Sequence, residues 1–375
     1  MDGAVPKASV VVPCWNVERW VEDAVGSVLR GTFQDFEIIA VDDGSTDGTG
    51  EVLDRLASAD ARVRVLHQPN RGVSSARNRG LDAARGKYLF FLDGDDSYEP
   101  DFLALGVAEL ERTDSDYCVF AFAERRNGAV ESHVVPLNGD YRYADNAAIR
   151  AHFLKRLIGY SMDEVRAWYA GRSLVAEREI GSVWRCAFRR EVIERIGLRF
   201  DESLVNWEDA YFTYEFLLSA RRMTCVNRPI YIYRIHAGSA VESRRRSAHA
   251  FANKLAFLRR RQDINRRTGG TIGGAYAASC VFSLLEMFAF LRTVPIGWTE
   301  GRRIVLEYAA DPEVRAALRA FPLSWRKPVL ALAVLALRVL GAGFIYAVCW
   351  TLFAPFRRLN GSERQKSSGT ATASR

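Results

Sequence analysis

Three carboxylates, Asp93, Asp95 and Asp96, follow directly on the apolar run 88–92, with only Gly94 among them. A continuous apolar run that short reads as a strand buried on both faces, as in parallel sheets. Such strands present their ligands at the carboxyl edge of the sheet. Carboxylates crowded together repel one another and raise each other's pKa unless a cation neutralises them. A divalent ion that favours hard oxygen ligands, Mg²⁺ or Mn²⁺, is the simplest way to keep them ionised. The competing reading is a solvated acidic turn. Other residues along the chain have matching chemistry. Asp42 and Asp43 close a second apolar run, 36–41, where a carboxylate can accept from a ribose hydroxyl or a base N–H or simply cap the next helix. Asn70, Arg71, Arg77 and Asn78 offer cationic and amide donors suited to a diphosphate. Asp209 stands at an expected helix start, where the dipole favours an acid whether or not it works chemically.

These residues need elements to hold them. Apolar runs at 9–13, 36–41, 62–67 and 88–92 read as strands, and the intervening segments 17–29, 49–59 and 74–84 carry helical spacing. The last of these helices carries Ala76, Arg77 and Asn78. Strand and helix alternate four times in under a hundred residues, the pattern of a doubly wound α/β sheet. Its carboxyl-end loops would form the ligand crevice. A Gly-x-Gly-x-x-Gly turn is absent after the first strand, where Pro13, Cys14, Trp15 and Asn16 stand, and no P-loop occurs. Phosphates must be held another way, and metal-bound acids are the available one. Further on, a helix (102–111), a strand (117–123), a hairpin-like excursion (125–139) and helices at 146–158 and 162–169 are expected. A strand or tight segment (182–188), helices at 190–196 and 210–218, and a strand (230–235) ending at His236 follow. Beyond residue 247 strand signals vanish: 248–267 is a long basic helix, 269–274 a glycine linker, 275–291 an apolar helix, and two shorter helices end near 320.

With 375 residues and a formal charge of +7, the chain is long enough for two units, and its basic residues cluster late. Arg-rich helix faces or an anionic membrane surface account for them; no nucleic-acid partner is expected. The six cysteines are scattered without a CxxC pair, suggesting neither zinc nor a disulfide framework. The first strand begins almost at once, leaving no room for a signal peptide, so catalysis is expected on the cytoplasmic side of the plasma membrane. Residues 328–356 hold one charge, Arg338, and 339–356 is about as long as a minimal membrane span. Basic residues flank both ends, so the positive-inside rule does not orient it. Arg338 would be costly in mid-bilayer, so an in-plane or re-entrant helix competes with a span and with a buried core helix. The expected layout is a nucleotide-binding domain (1–240), a helical region (241–325), a membrane-associating segment (326–358) and a disordered polar tail (359–375).

Taken in order, the segments Ser9-Val-Val-Val-Pro13, Val41-Asp-Asp-Gly-Ser-Thr-Asp47, Asn70-Arg-Gly-Val-Ser-Ser-Ala-Arg-Asn78 and Phe91-Leu-Asp-Gly-Asp-Asp96 resemble the N-terminal half of family-2 glycosyltransferases with the GT-A fold. Glu208-Asp209 followed by Phe212 resembles that family's "ED" motif, and Tyr233-Arg-Ile-His236-Ala-Gly-Ser239 its later YRxHxxS segment. The resemblance covers roughly residues 8–240. It implies an inverting, metal-dependent transfer of a sugar from a nucleoside diphosphate, a UDP-sugar being the expected donor. By that analogy Asp42 or Asp43 reads base and ribose, Asp93 lies near the ribose, and Asp95 binds Mn²⁺ or Mg²⁺ bridging the diphosphate. His236 sits near diphosphate or metal, and Asp209 is the general base. Pro13, Asn70, Arg71, Ala76, Arg77, Asn78, Gly94 and Glu208 complete the nucleotide-sugar surface. The QxxRW motif of processive synthases is absent, which favours one sugar per acceptor encounter. The apolar C-terminal segment points to a lipid-linked or envelope-glycan acceptor.

Two other functions compete. A nucleotidyltransferase on the same kind of sheet would carry a Gly- and Arg-rich loop after its first strand, which 13–16 lacks. A non-catalytic, membrane-bound sugar-nucleotide binder would share the binding residues but not turn over.

Overall fold

The computed structural model describes residues 5–126, 129–134, 141–174, 181–236, 248–291, 294 and 296–352. It divides into two compact units, one of Met1–Leu157 with Ala176–Ala237, the other of Ile158–Val175 with Gly238–Arg375. The expected 1–240 unit is thus interrupted. Ile158–Val175 groups with the later helices because its polar groups are satisfied there: the Tyr160 N–H donates to Ser279 Oγ (2.6 Å) and the Tyr169 hydroxyl to the Pro322 carbonyl (3.2 Å).

The first unit opens with β1 (Ala8–Cys14), α1 (Val21–Leu29), β2 (Phe36–Asp42), α2 (Thr49–Ala59), β3 (Val63–His67), α3 (Val73–Ala83) and β4 (Tyr88–Phe91). Every residue of β1, β2 and β4 is buried, as continuous apolar runs between two helical layers require. β2 and β4 both pair parallel with β1, Val10 standing opposite Ile38 on one side and Phe90 on the other. β3 adds beyond β2, so the chain runs outward through β1, β2 and β3 and then returns to the opposite side of β1. That reversal opens a crevice at the carboxyl ends of β1 and β4. α3 lies close against β1 because it carries Gly80: a Cβ there would come within 2.3 Å of Val11 Cγ1.

The remainder extends the sheet with β5 (Ser97–Tyr98), α4 (Phe102–Arg112), β6 (Tyr117–Arg126), β7 (Ala129–Val134), β8 (Tyr141–Tyr143), α5 (Asn146–Ala148), α6 (Lys155–Ile158), β9 (Cys186–Arg189), α8 (Arg190–Ile196), α9 (Glu208–Ser219) and β10 (Met223–Ile235), while α7 (Met162–Tyr169) belongs to the second unit. The full order is β3-β2-β1-β4-β9-β6-β10-β5, with β7 on β6 and β8 on β10. β9 enters antiparallel between β4 and β6, so the sheet is mixed. β10 begins seven residues before the expected 230, running through Pro229 with register shifts on either side. A π-turn at Ile149–Leu154 interrupts the single helix expected over 146–158.

In the second unit the helices are Ala248–Arg267, Ala277–Phe290, Trp298–Ala310, Pro312–Ala320 and Pro328–Leu352. The last is long and apolar enough to cross a membrane by length and composition. It is broken at Gly341, whose φ of 75° and ψ of 159° are non-helical. Arg338 is not stranded in apolar surroundings: its guanidinium donates to the carbonyls of Leu318 and Phe321, the open C-terminal end of the preceding helix. The 353–358 end of the apolar segment, the tail 359–375, the 241–247 connection and Ala237 to Ser239 of the YRxHxxS segment lie outside the described residues. All six cysteines are free thiols, five of them buried.

Candidate functional site

The crevice at the strand ends is stitched together by the backbone: the Asp43 N–H donates to the Cys14 carbonyl (2.8 Å) and the Leu92 N–H to the Val11 carbonyl (3.0 Å). Pro13 is buried one residue before the end of β1. Asp42 and Asp43 then do different things. Asp42 accepts from the Ser45 N–H (3.0 Å) and faces His67 Nδ1 (3.0 Å). Burial opposes its ionisation, but the hydrogen bonds from Ser45 and His67 outweigh it and hold the carboxyl below its ordinary pKa. Asp43 is buried and takes three donors: Gln68 Nε2 (2.7 Å) and the N–H groups of Arg71 (2.9 Å) and Gly72 (2.8 Å). It therefore holds the loop that presents the exposed Asn70 and Arg71. Gly44 beside it has φ 68°, and a Cβ there would meet the Asn70 N at 2.6 Å, so the two loops approach at a point only glycine permits. Asp43→Ala strands two backbone N–H donors and is expected to cost about 3 kcal/mol of stability. Urea unfolding that differs by less than about 0.5 kcal/mol would show that the loop does not depend on this carboxylate.

The acidic turn after β4 separates its three carboxylates. Gly94 packs against β1: a Cβ would lie 3.1 Å from Val17 Cγ2 and 3.3 Å from the Pro13 carbonyl oxygen. Asp93 pairs with Arg77 Nη2 (2.9 Å), and Asp95 Oδ2 lies 2.9 Å from His236 Nε2 at the end of β10. Asp96 points inward, accepting from the Tyr231 hydroxyl (2.6 Å) and the Arg234 N–H (2.7 Å). Burial, then the Asp95 and Asp93 charges, raise the Asp96 carboxyl well above its ordinary pKa. Burial followed by the Asp93 charge also raises Asp95, with His236 opposing. Sequence reading missed the supports of this turn. Arg234 Nε donates to the Asp95 carbonyl (2.8 Å), and the Trp20 ring lies 5.4 Å from the His236 ring. Arg234 belongs to a motif already noted; Trp20 carried no signal beyond helical spacing.

α3 and α9 supply the facing wall. Ala76 is fully buried, and Arg77, 3% exposed, bonds Asp93 with one terminal nitrogen and Glu208 (3.0 Å) with the other. Its guanidinium carbon lies 5.3 Å from the Phe200 ring centre. Asn78 is occupied elsewhere: its amide donates to the Phe200 carbonyl (3.0 Å) and Glu202 (3.1 Å) and accepts from the Phe200 N–H (2.8 Å). Glu202 also pairs with Arg71 at 3.7 Å. The structure thus brings Arg77 to the acids and turns Asn78 away from them, toward the 200–202 loop. Trp207, immediately before α9, takes a left-handed conformation (φ 65°), uncommon for a bulky residue. Asp209 follows in the first turn and makes no ion pair among the described residues; its one hydrogen bond there is from the Ala210 N–H (2.7 Å). Burial, then the Glu208 charge, push its carboxyl up to about 7, against Arg77 and the Ala210 N–H, with Asp93 adding a smaller upward push. A carboxyl poised near neutrality is suited to accept a proton. Among the described residues no three His, Cys, Asp or Glu side chains converge as a ready metal cage.

Residues 9–163 match the family described as Glycosyl transferase family 2. An uncharacterized glycosyltransferase of Bacillus subtilis, EpsJ, is 34% identical over 238 residues, 64% of each chain. A cholesterol galactosyltransferase of Borreliella burgdorferi is 27% identical over 232 residues, 60% of this chain and 59% of that one. The chain thus spans under two thirds of the length of these relatives. The crystal structure of S. aureus TarS 1–349 in complex with UDP superposes with a TM-score of 0.51 at 19% identity, covering 89% of this chain and 92% of that one. The fold is shared with that GT-A-like sheet. The domain that carries the β1, β2 and β4 crevice thus matches glycosyltransferase family 2 over residues 9–163, and the relatives that the chain resembles are glycosyltransferases.

Proposed function

We propose that the protein transfers one sugar per encounter from a nucleoside-diphosphate sugar, a UDP-sugar by preference, to an acceptor hydroxyl with inversion. The observation that carries this is the poised Asp209, which makes no ion pair among the described residues, in the first turn of α9 beside Glu208, which Arg77 ties to the acidic turn. Asp209 removes the acceptor proton as the acceptor oxygen forms its bond to the anomeric carbon. The bond from that carbon to the diphosphate oxygen breaks on the opposite face, and the configuration inverts. Asp42 faces base and ribose, Asp93 the ribose, and Asn70 and Arg71 the diphosphate on the loop that Asp43 holds. The similarity to a UDP-bound neighbour supports a nucleotide in the crevice.

Asp95 and His236 are the residues that would hold Mn²⁺ or Mg²⁺. Two protein donors, one a carboxylate, fit an ion that takes its other ligands from phosphate and water. When bound, such an ion offsets the charge that develops on the leaving diphosphate. The acceptor is a lipid-linked or glycan hydroxyl met at the cytoplasmic face of the plasma membrane, in envelope or extracellular glycan synthesis. Incubation with Mn²⁺ and a panel of sugar nucleotides is expected to release nucleoside diphosphate from one donor. EDTA should stop release, and Mn²⁺ or Mg²⁺ should restore it. That donor at a hundred times its Kd should stabilise the fold by about 2.7 kcal/mol. Binding without release from any donor would leave a sugar-nucleotide binder instead.

A further inference from the structure

The C-terminal apolar helix has two unlike sides. Ala331, Val334, Leu337 and Tyr346 are buried within the helical unit. Val329, Leu332, Leu335, Val339, Phe344 and Val348 are exposed, Val329 at 81% and Val339 at 71%. Exposed apolar stripes of this extent mark an interaction surface. We propose that this stripe lies in the plane of an anionic phospholipid surface and does not span the bilayer. The inference deepens the membrane part of the proposed function and is independent of the sugar chemistry.

Two observations exclude a straight span. Among the described residues Gly341 leaves 13 helical residues before it and 11 after it. At about 1.5 Å per residue these reach roughly 20 and 16 Å, short of a hydrocarbon core of about 30 Å. Both pieces are also moored to helices that carry ions. Arg338 in the first piece caps Pro312–Ala320, where Arg315 and Arg319 are exposed. Tyr346 in the second donates to the Trp298 carbonyl (3.2 Å) of Trp298–Ala310, which carries the exposed Arg302 and an ion-paired Glu300, Arg303 and Glu307. Crossing the bilayer would draw those charges into hydrocarbon. Lying flat leaves them in water.

Charge at the entrance to the stripe selects the partner. From 312 to 327 there are four basic residues, Arg315, Arg319, Arg326 and Lys327, and one acid, Glu313. Trp325, 75% exposed, stands beside the exposed Arg326 and Lys327. Lys327 Nζ lies 4.7 Å from the Trp168 ring centre, and Arg326 donates to the Tyr169 carbonyl. Tryptophan with basic residues at one end of an apolar stripe suits the headgroup region of an anionic leaflet.

The test uses the full chain with vesicles of phosphatidylcholine alone or mixed with phosphatidylglycerol. Sedimentation should show binding that strengthens with phosphatidylglycerol and weakens with salt. The double variant Leu332→Glu with Phe344→Glu should lower partitioning at least about tenfold while leaving the melting temperature unchanged, since both sites are exposed. Environment-sensitive labels at Leu332→Cys, Val339→Cys and Val348→Cys, each in a Cys349→Ser background, should all report the same shallow depth against depth-graded lipid quenchers. A deep label at 339 between shallow ones at 332 and 348 would overturn the in-plane arrangement while keeping membrane association. Absence of vesicle binding, with a dimer that the double variant dissociates, would overturn both and make the stripe a contact between copies.

Discussion

Asp209→Asn is expected to lower nucleoside diphosphate release by about 10²- to 10⁴-fold while sugar-nucleotide affinity stays within about twofold. Asn keeps the size of the side chain and an acceptor for the Ala210 N–H, so the first turn of α9 survives. What it removes is the ability to take a proton. The pH profile gives the sharper result. Burial and the Glu208 charge push the Asp209 carboxyl up to about 7. A general base works as the carboxylate, so kcat/KM should be full above that pH and fall about tenfold per unit below it. The residual activity of the Asn variant should lack this acidic limb. Unchanged turnover, or the same limb in the variant, would remove Asp209 from the role. Substrate binding with lost turnover would separate this base from a folding defect.

Much of the sheet and its acids was legible in the sequence because each rests on a local pattern. The runs at 9–13, 36–41 and 88–92 are buried strands, and their polar ends meet at one crevice, as the strand–helix alternation requires. The mixed part of the sheet was not legible. β9 pairs antiparallel with β4 across roughly a hundred residues, and β5 and β8 are two and three residues long. Pairings so distant leave no periodicity in either strand alone. The division of labour among the polar residues was hidden for a similar reason. Asp42 and Asp43 are adjacent, yet one meets His67 and the other closes around the 68–72 loop, because Asp42 is the last residue of β2 and Asp43 the first of the loop beyond it. Arg77 and Asn78 diverge in the same way on a helix, one toward Asp93 and the other toward Phe200. The glycine break at 341 was visible as a residue but not as a conformation. A glycine in an apolar helix is tolerated as often as it is used, and Gly343, two residues on, stays helical.

Arg77 is the residue whose loss should disturb the site most. It is a buried fork with one terminal nitrogen on Asp93 and the other on Glu208, tying the turn after β4 to the start of α9. Arg77→Met leaves two carboxylates without their cation and is expected to cost about 3–5 kcal/mol of stability, measured by urea unfolding. Arg77→Lys keeps a charge but not the planar fork, so it should recover part of that stability without restoring both pairings. The activity profile then distinguishes electrostatics from packing. Arg77 favours the ionised form of Asp209, so its removal should move the acidic limb of kcat/KM to higher pH. Glu208 acts with the opposite sign. Glu208→Gln keeps a hydrogen-bond acceptor for Arg77 and removes the charge that raises Asp209, so its limb should move to lower pH. Opposite displacements in the two variants would locate the tuning of the base in this charge pair. Limbs that stay in place in both, with stability lost only in Arg77→Met, would make Arg77 a strut of the fold and leave burial alone to poise Asp209.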